Sequence, residues 1–335
     1  MGNNTDYFDP VSYAQIQYTR PYAVTRQKRK GKKLKAWQIV LFVFCVMVFF
    51  YLGLPGLLYQ SGMDELGMTL AEQLYLLACS VVFVLLMRAD FREVFPVRRP
   101  KAGGAAGVAV ISLSTCLFSL SVSYLIMFFA ADEVTQFSES MGGSLTGWKS
   151  VIFLILVSVL PPVCEEALNR GVVLSGLRNS IPNKTAVILI SGAIFGLSHL
   201  YPYRMIAQTL AGCLMAWLVL KTGNIVYSAL YHFLYNGTLT LLSGLSSLLI
   251  PEDYSVEVYQ AGAFQSPVTV GIGILIYGLF VPLLIYTGCY LVNKAEAPRR
   301  TAFLPDGMRS LLKILIPTGI IIITGIAFIL AGIAG

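Results

Sequence analysis

The sequence predicts an all-α fold: a polytopic bundle of about nine transmembrane helices, with eight as the alternative count and the N-terminus in the cytoplasm. Three observations lead there. Hydrophobic residues make up 56% of the chain and charged residues only 12%, against about 25% charged in a soluble domain; the mean hydropathy is +0.72. The apolar residues gather into runs near the ~20-residue length that crosses a bilayer as a helix. Lys and Arg then concentrate in every second loop, as the positive-inside rule requires of a chain threaded back and forth.

Taken in order, the runs fall at about 37–59, 68–87, 104–131, 150–177, 185–200, 205–220, 225–248, 267–292 and 314–334. The first begins near Trp37, after a polar and basic leader, which fits an uncleaved first span better than a signal peptide. The fifth and sixth runs are short. Eight basic residues lie in the leader, five in 88–103, five in 293–313, two in 178–184 (Arg178, Lys184) and one in 221–224 (Lys221). Those five segments hold 21 of the 24 Lys and Arg. The alternate loops carry acids instead: Asp64 and Glu65; Asp132, Glu133 and Glu139; Glu252, Asp253 and Glu257. Only Lys149 and Arg204 are basic there.

Residues 1–35 therefore read as a basic, mobile cytoplasmic tail, and 36–335 as the transmembrane domain. The net charge of +7 is placed to orient the chain, not to bind nucleic acid. The RQKRKGKKLK run is also suited to anionic lipid headgroups. All six cysteines fall inside apolar runs, as small buried hydrophobes do, and give no disulfide framework.

The fourth run carries charges that bilayer insertion disfavours: Glu165, Glu166 and Arg170, in the stretch PPVCEEALNRGVV. An ionisable group near the bilayer centre costs at least ~3 kcal/mol on insertion scales, so it marks a function by default. Glu166 and Arg170 are four residues apart and share a helix face, acid first, the favourable order for an ion pair. Glu165 is rotated by about 100° and faces elsewhere. Asn169, four residues on, shares its face. Pro161 and Pro162 are expected to break or kink the helix and leave the acids near the start of a new segment, where free N–H groups favour a carboxylate.

The two histidines of the chain, His199 and His232, also lie in apolar runs. Phe195 precedes His199 by four residues and Asn236 follows His232 by four, each pair on one helix face. Glu165 and His199 lie at matching depths, roughly 20 and 22 Å from the basic ends of their runs at ~1.5 Å per residue. His232 lies only about 12 Å deep by the same rise, so the three meet only if the 221–224 turn is recessed or the helix is strongly tilted. A carboxylate, two imidazoles and an amide suit hydrolysis of an acyl bond. Glu165 would be the general base on a water that His199 orients. His232 and Asn236 would donate to the oxyanion, and Glu166 and Arg170 would hold Glu165 in place.

These motifs resemble the CPBP family of intramembrane endopeptidases, which includes the type II CAAX prenyl endopeptidases and bacteriocin-immunity proteins. The family pattern is EExxxR, FxxxH and HxxxN on successive helices. Here it reads Glu165-Glu166-Ala-Leu-Asn-Arg170, Phe195-Gly-Leu-Ser-His199 and His232-Phe-Leu-Tyr-Asn236. The resemblance covers a catalytic core of about 145–250 and implies the same roles for Glu165, His199, His232 and Asn236. The family usually has an aromatic residue just before the arginine; this chain has Asn169.

The implied function is endoproteolysis of a membrane-associated or lipidated peptide or protein in the membrane, with bacterial plasma-membrane residence as the expectation and no cofactor. Four other readings stay open. Zinc held by Glu165, His199 and His232 would activate water instead. Cys164 would serve as a thiol nucleophile, though neighbouring carboxylates disfavour its thiolate. Buried Glu and His also serve proton-coupled transporters. The family further includes non-catalytic immunity or scaffold roles.

Overall fold

The structure, a computed structural model, describes residues 31–130, 148–249, 266–298 and 302–334. Most of the basic leader and the acidic stretches around Asp132, Glu133, Glu139, Glu252, Asp253 and Glu257 lie outside the described residues. The described residues are all-helical apart from turns and one isolated bridge between Lys32 and Ala89.

Nine helical passages occupy the nine apolar runs: α1 Ala36–Gln60, α2 Glu65–Leu86, α3 Ala102–Phe129, α4 148–180, α5 Lys184–Leu197, α6 Pro202–Thr222, α7 Ile225–Leu249, α8 Pro267–Glu296 and α9 Met308–Ala334. Seven of them are long and apolar enough to cross a membrane. The two outside that set are α5 and α7. With 14 residues, α5 spans only about 21 Å at ~1.5 Å per residue, short of a ~30 Å hydrocarbon core. α7 is long enough at 25 residues, but it carries His232, Asn236 and several Ser and Thr among its apolar positions. The nine-span expectation thus corresponds to nine helices, seven of which meet the spanning criterion.

The basic segments gather at one end of the bundle. Lys32 N–H donates to the Arg88 carbonyl at 2.9 Å, and Ala36 N–H to Ser180 Oγ at 2.8 Å. Arg178 Nη2 donates to the Glu93 carbonyl at 2.7 Å. Lys101 Nζ lies 3.3 Å from Glu296 Oε2. At the opposite end Lys149 Nζ meets Asp64 Oδ2 at 3.6 Å. So loops that share a charge sign by sequence share an end in space, which is the physical content of the alternation.

The same contacts place α7. Asn224 is buried; its Oδ1 accepts from Arg98 N–H at 3.1 Å and its Nδ2 donates to the Arg98 carbonyl at 2.9 Å. Ile225 N–H donates to the Pro96 carbonyl at 2.8 Å. The turn before α7 is therefore tucked beneath the 96–98 segment, a recess of the kind that brings His232 deeper.

Two apolar cores flank the central helices. One joins Ile111 and Cys116 of α3, Met215 and Leu218 of α6, and Tyr227, Tyr231 and Tyr235 of α7. The other packs Ile39 of α1 and Val84 of α2 against Val172, Val173 and Leu177 of α4 and Val187 of α5. Helices α5 and α6 approach closely through glycines: a Cβ on Gly212 would lie 2.9 Å from the Gly192 Cα. Small residues let backbones meet in this way between membrane helices. By contrast α9 buries only Ser310 and Gly325, leaving an apolar surface suited to lipid.

Candidate active site

The site is built on an irregular α4. Trp148–Val159 runs into Pro161–Glu166, then into a π-helical turn, Ala167–Val173, and ends as Leu174–Ser180. The prolines do not break the path, because Leu160 keeps helical dihedrals of −71° and −48°. They remove donors instead. Pro161 has no N–H for the Val157 carbonyl, its i−4 partner. Asn236 of α7 supplies the missing donor, with Nδ2 3.2 Å from that oxygen. The acids fall in the second turn of the Pro161–Glu166 segment, whose first turn carries no acid. The expected help from a helix N-terminus is therefore not what holds them, since that effect fades within one turn.

Asn169 sits at the start of the π turn and is buried. Its Nδ2 donates to the backbone carbonyl of Glu165 at 3.0 Å. The amide thus tends a carbonyl at the entry to the widened turn, bonding the Glu165 backbone and not its carboxylate. Gly171 packs on Phe95, whose ring occupies the space a Cβ would need.

Glu166 and Arg170 form the ion pair that their spacing predicts, with Arg170 Nη1 3.0 Å from Glu166 Oε1 and side-chain exposures of 0% and 1%. Arg170 Nη2 donates to the Gly212 carbonyl at 3.2 Å, and its guanidinium lies 4.5 Å from the Phe195 ring centroid. His232 adds a third member, with Nδ1 3.1 Å from Glu166 Oε1. Because the carboxylate is the acceptor, that nitrogen is the donor, and the neutral ring then presents Nε2 as an acceptor.

Glu165 is the more open acid, its side chain 20% exposed. Its Oε2 lies 4.0 Å from His232 Nε2, and Gln73 Nε2 of α2 donates to its Oε1 at 3.3 Å. His199 follows the end of α5, with Nδ1 2.8 Å from the Phe195 carbonyl. A carbonyl only accepts, so Nδ1 carries the proton and a neutral His199 offers Nε2 as an acceptor. Phe195 wedges between the imidazoles, edge-on to each, with centroids 4.9 Å from His199 and 5.8 Å from His232.

The eight residues singled out from sequence are thus brought together unequally. Glu166, Arg170, His232 and Phe195 form one buried knot with Glu165 at its edge. His199 shares Phe195 with that knot. No hydrogen bond or ion pair joins His199 to Glu165 among the described residues. Asn236 has one N–H on Val157, which leaves its second for another acceptor. Among the described residues no three His, Cys, Asp or Glu side chains are grouped to hold a metal ion, and Glu165, His199 and His232 do not form such a set. Cys164 is 2% exposed.

Three neighbours were missed by the sequence reading. Gln73 touches Glu165 directly, and Glu72 precedes it. Tyr51, in a π-helical turn of α1, donates its hydroxyl to the Ser198 carbonyl, beside His199. Glu165, Arg204, Glu72 and Tyr201 are the charged or ionisable groups acting on that hydroxyl. Glu72 was the legible signal: it is the one acid within the first three spans, and an acid at such a position points to a site.

As a class, this is a polytopic helical membrane protein with a buried acid–arginine–imidazole cluster inside its bundle. Residues 147–238 match the family model described as type II CAAX prenyl endopeptidase, Rce1-like, of the CPBP family. The matched segment runs from the start of α4 to just past Asn236 and contains all three motifs; it covers less than a third of the chain. Comparison with curated proteins and with solved structures gave no match.

Proposed function

We propose that the chain is an intramembrane endopeptidase that cleaves a peptide bond in a membrane-associated or lipidated substrate with a glutamate-activated water. The observation that carries this is the asymmetry of the acid pair. Glu166 is committed to Arg170 and His232, whereas Glu165 is partly open and stands beside an imidazole. One acid is structure; the other is available for proton transfer.

In the proposed reaction, His199 Nε2 accepts one hydrogen of a water and orients it, and Glu165 takes the other proton. The hydroxide adds to the peptide carbonyl. His232, in its imidazolium form, donates to the resulting oxyanion through Nε2 while its Nδ1–H stays on Glu166. The free N–H of Asn236 is the second donor. Collapse of the intermediate breaks the C–N bond, and Glu165 returns its proton to the leaving amine. General-base catalysis of this kind contributes about 10²–10⁴-fold, and each oxyanion donor about 10²–10³-fold.

An apolar groove supports a lipid-embedded substrate. It has a volume of about 510 Å³ and runs between α1 and α5, from Ile39 and Val43 to Tyr51, Ser198 and Leu200. Its far end lies beside His199. The test is comparative peptide profiling of membranes from cells carrying the wild type or Glu165→Ala. Uncut species that accumulate only in the variant are the expected substrates. Identical profiles would remove the endopeptidase reading.

A further inference from the structure

A second cavity, of about 590 Å³, opens at the basic end of the bundle; its Arg178 lies roughly 20 Å from Glu165 along α4 at ~1.5 Å per residue. Its walls bring together Lys33 before α1, Arg92 and Arg98 of the α2–α3 connection, Arg178 at the end of α4 and Lys184 at the start of α5. Glu93 is the one acid on the wall, and Arg178 lies 4.0 Å from its carboxylate. Among the described residues no ion pair is formed by Lys33, Arg92, Arg98 or Lys184. Four cations from distant parts of the sequence thus face one cleft with little to neutralise them.

Folding alone gives no reason for this arrangement, since like charges brought together repel. The scaffold nevertheless fixes them. Asn224 clamps both backbone polar groups of Arg98, and Arg178 ties down the Glu93 carbonyl. Asp90 Oδ1 accepts from the Arg92 and Glu93 N–H groups, capping the one-turn helix Phe91–Val94. The floor is apolar, built from Ile181, Val187, Val219 and Leu220. A preset ring of cations over an apolar floor, at the end where positive loops meet headgroups, fits an amphiphilic anion.

We infer that this cleft binds a phosphate-bearing anion, either the headgroup of an anionic phospholipid or free phosphate. The site takes one wall residue, Lys33, from the end of the basic leader; it is separate from the endopeptidase reading, and its failure would leave that reading untouched. The test is native mass spectrometry of the full chain in detergent with phosphatidylglycerol, phosphatidylcholine or inorganic phosphate. The variant is Arg92→Gln/Arg98→Gln/Lys184→Gln. Its control, Lys221→Gln/Arg309→Gln/Lys313→Gln, removes three cations elsewhere at the same end.

Retention of phosphatidylglycerol over phosphatidylcholine, reduced at least fivefold in the variant and unchanged in the control, is the expected result for a lipid source. Retention of inorganic phosphate with the same mutational pattern assigns a free anion. Binding of neither probe, or equal losses in variant and control, overturns the inference. Should the triple variant fail to fold, Arg98→Gln alone is read by the shift in melting temperature that phosphatidylglycerol gives. A shift equal to wild type would then contradict the site.

Discussion

Replacing Arg170 by methionine tests how the polar knot is held. The guanidinium has no exposed side-chain surface and makes three contacts: Glu166 at 3.0 Å, the Gly212 carbonyl at 3.2 Å and the face of Phe195 at 4.5 Å. Methionine fills much of the volume but leaves the Glu166 carboxylate buried without its guanidinium. Breaking a buried pair from one side costs about 3–5 kcal/mol, because the surviving charge is uncompensated. Glu166→Gln strands Arg170 in the same way and carries a similar cost. In the double variant both charges are gone, so the two losses overlap and a coupling of about 2–3 kcal/mol is expected. The assay is reversible denaturant unfolding of the full chain in mixed micelles, followed by tryptophan fluorescence. Single variants within about 0.5 kcal/mol of wild type, or losses that simply add, would refute the buried-pair reasoning.

Other consequences follow for individual residues. Asn236→Ala is expected to slow turnover about 10²–10³-fold and to cost about 1–2 kcal/mol of stability, since the Val157 carbonyl loses its donor. Pro161→Ala returns an N–H to that carbonyl; in this background Asn236→Ala should lose most of its stability cost and none of its kinetic cost, read by unfolding and by initial rates. Gln73→Leu, which frees Glu165 Oε1, is expected to lower kcat about tenfold with little change in KM, and Gln73→Glu to lower it further through like-charge repulsion. A glutamate-activated water predicts that 1,10-phenanthroline and EDTA leave activity within about twofold. A complete loss restored by zinc would favour the Glu165, His199 and His232 metal set instead.

The helices and the grouping of the loops were legible because both follow from strong, local physics. Apolar runs fix the helices, and Lys and Arg fix which loops share an end, as the Lys32–Arg88 and Lys149–Asp64 contacts display. The Glu166–Arg170 pair was legible for the same reason, since an i,i+4 spacing decides it. What the sequence hid is non-local. Nothing near Asn236 indicates that its amide answers a proline 75 residues earlier. The π turn at Ala167–Val173 has no simple periodic signature, yet it sets where Asn169 and Arg170 point. The tuck of Asn224 beneath the 96–98 segment, which bears on the depth of His232, has no local signature either. Gln73 was passed over because a neutral amide in an apolar run raises no alarm of its own.

The account depends most on Glu165 moving a proton from water to a leaving amine. The direct measurement is cleavage, in H₂¹⁸O and under single-turnover conditions, of a peptide that accumulates in Glu165→Ala membranes, by purified wild type and Glu165→Gln in liposomes. One ¹⁸O in the new C-terminal carboxylate, none in the Glu165 side chain, and a rate about 10²–10⁴-fold lower for Glu165→Gln are predicted. Wild-type rates from Glu165→Gln, or label first appearing in the enzyme's own carboxylate, would contradict it.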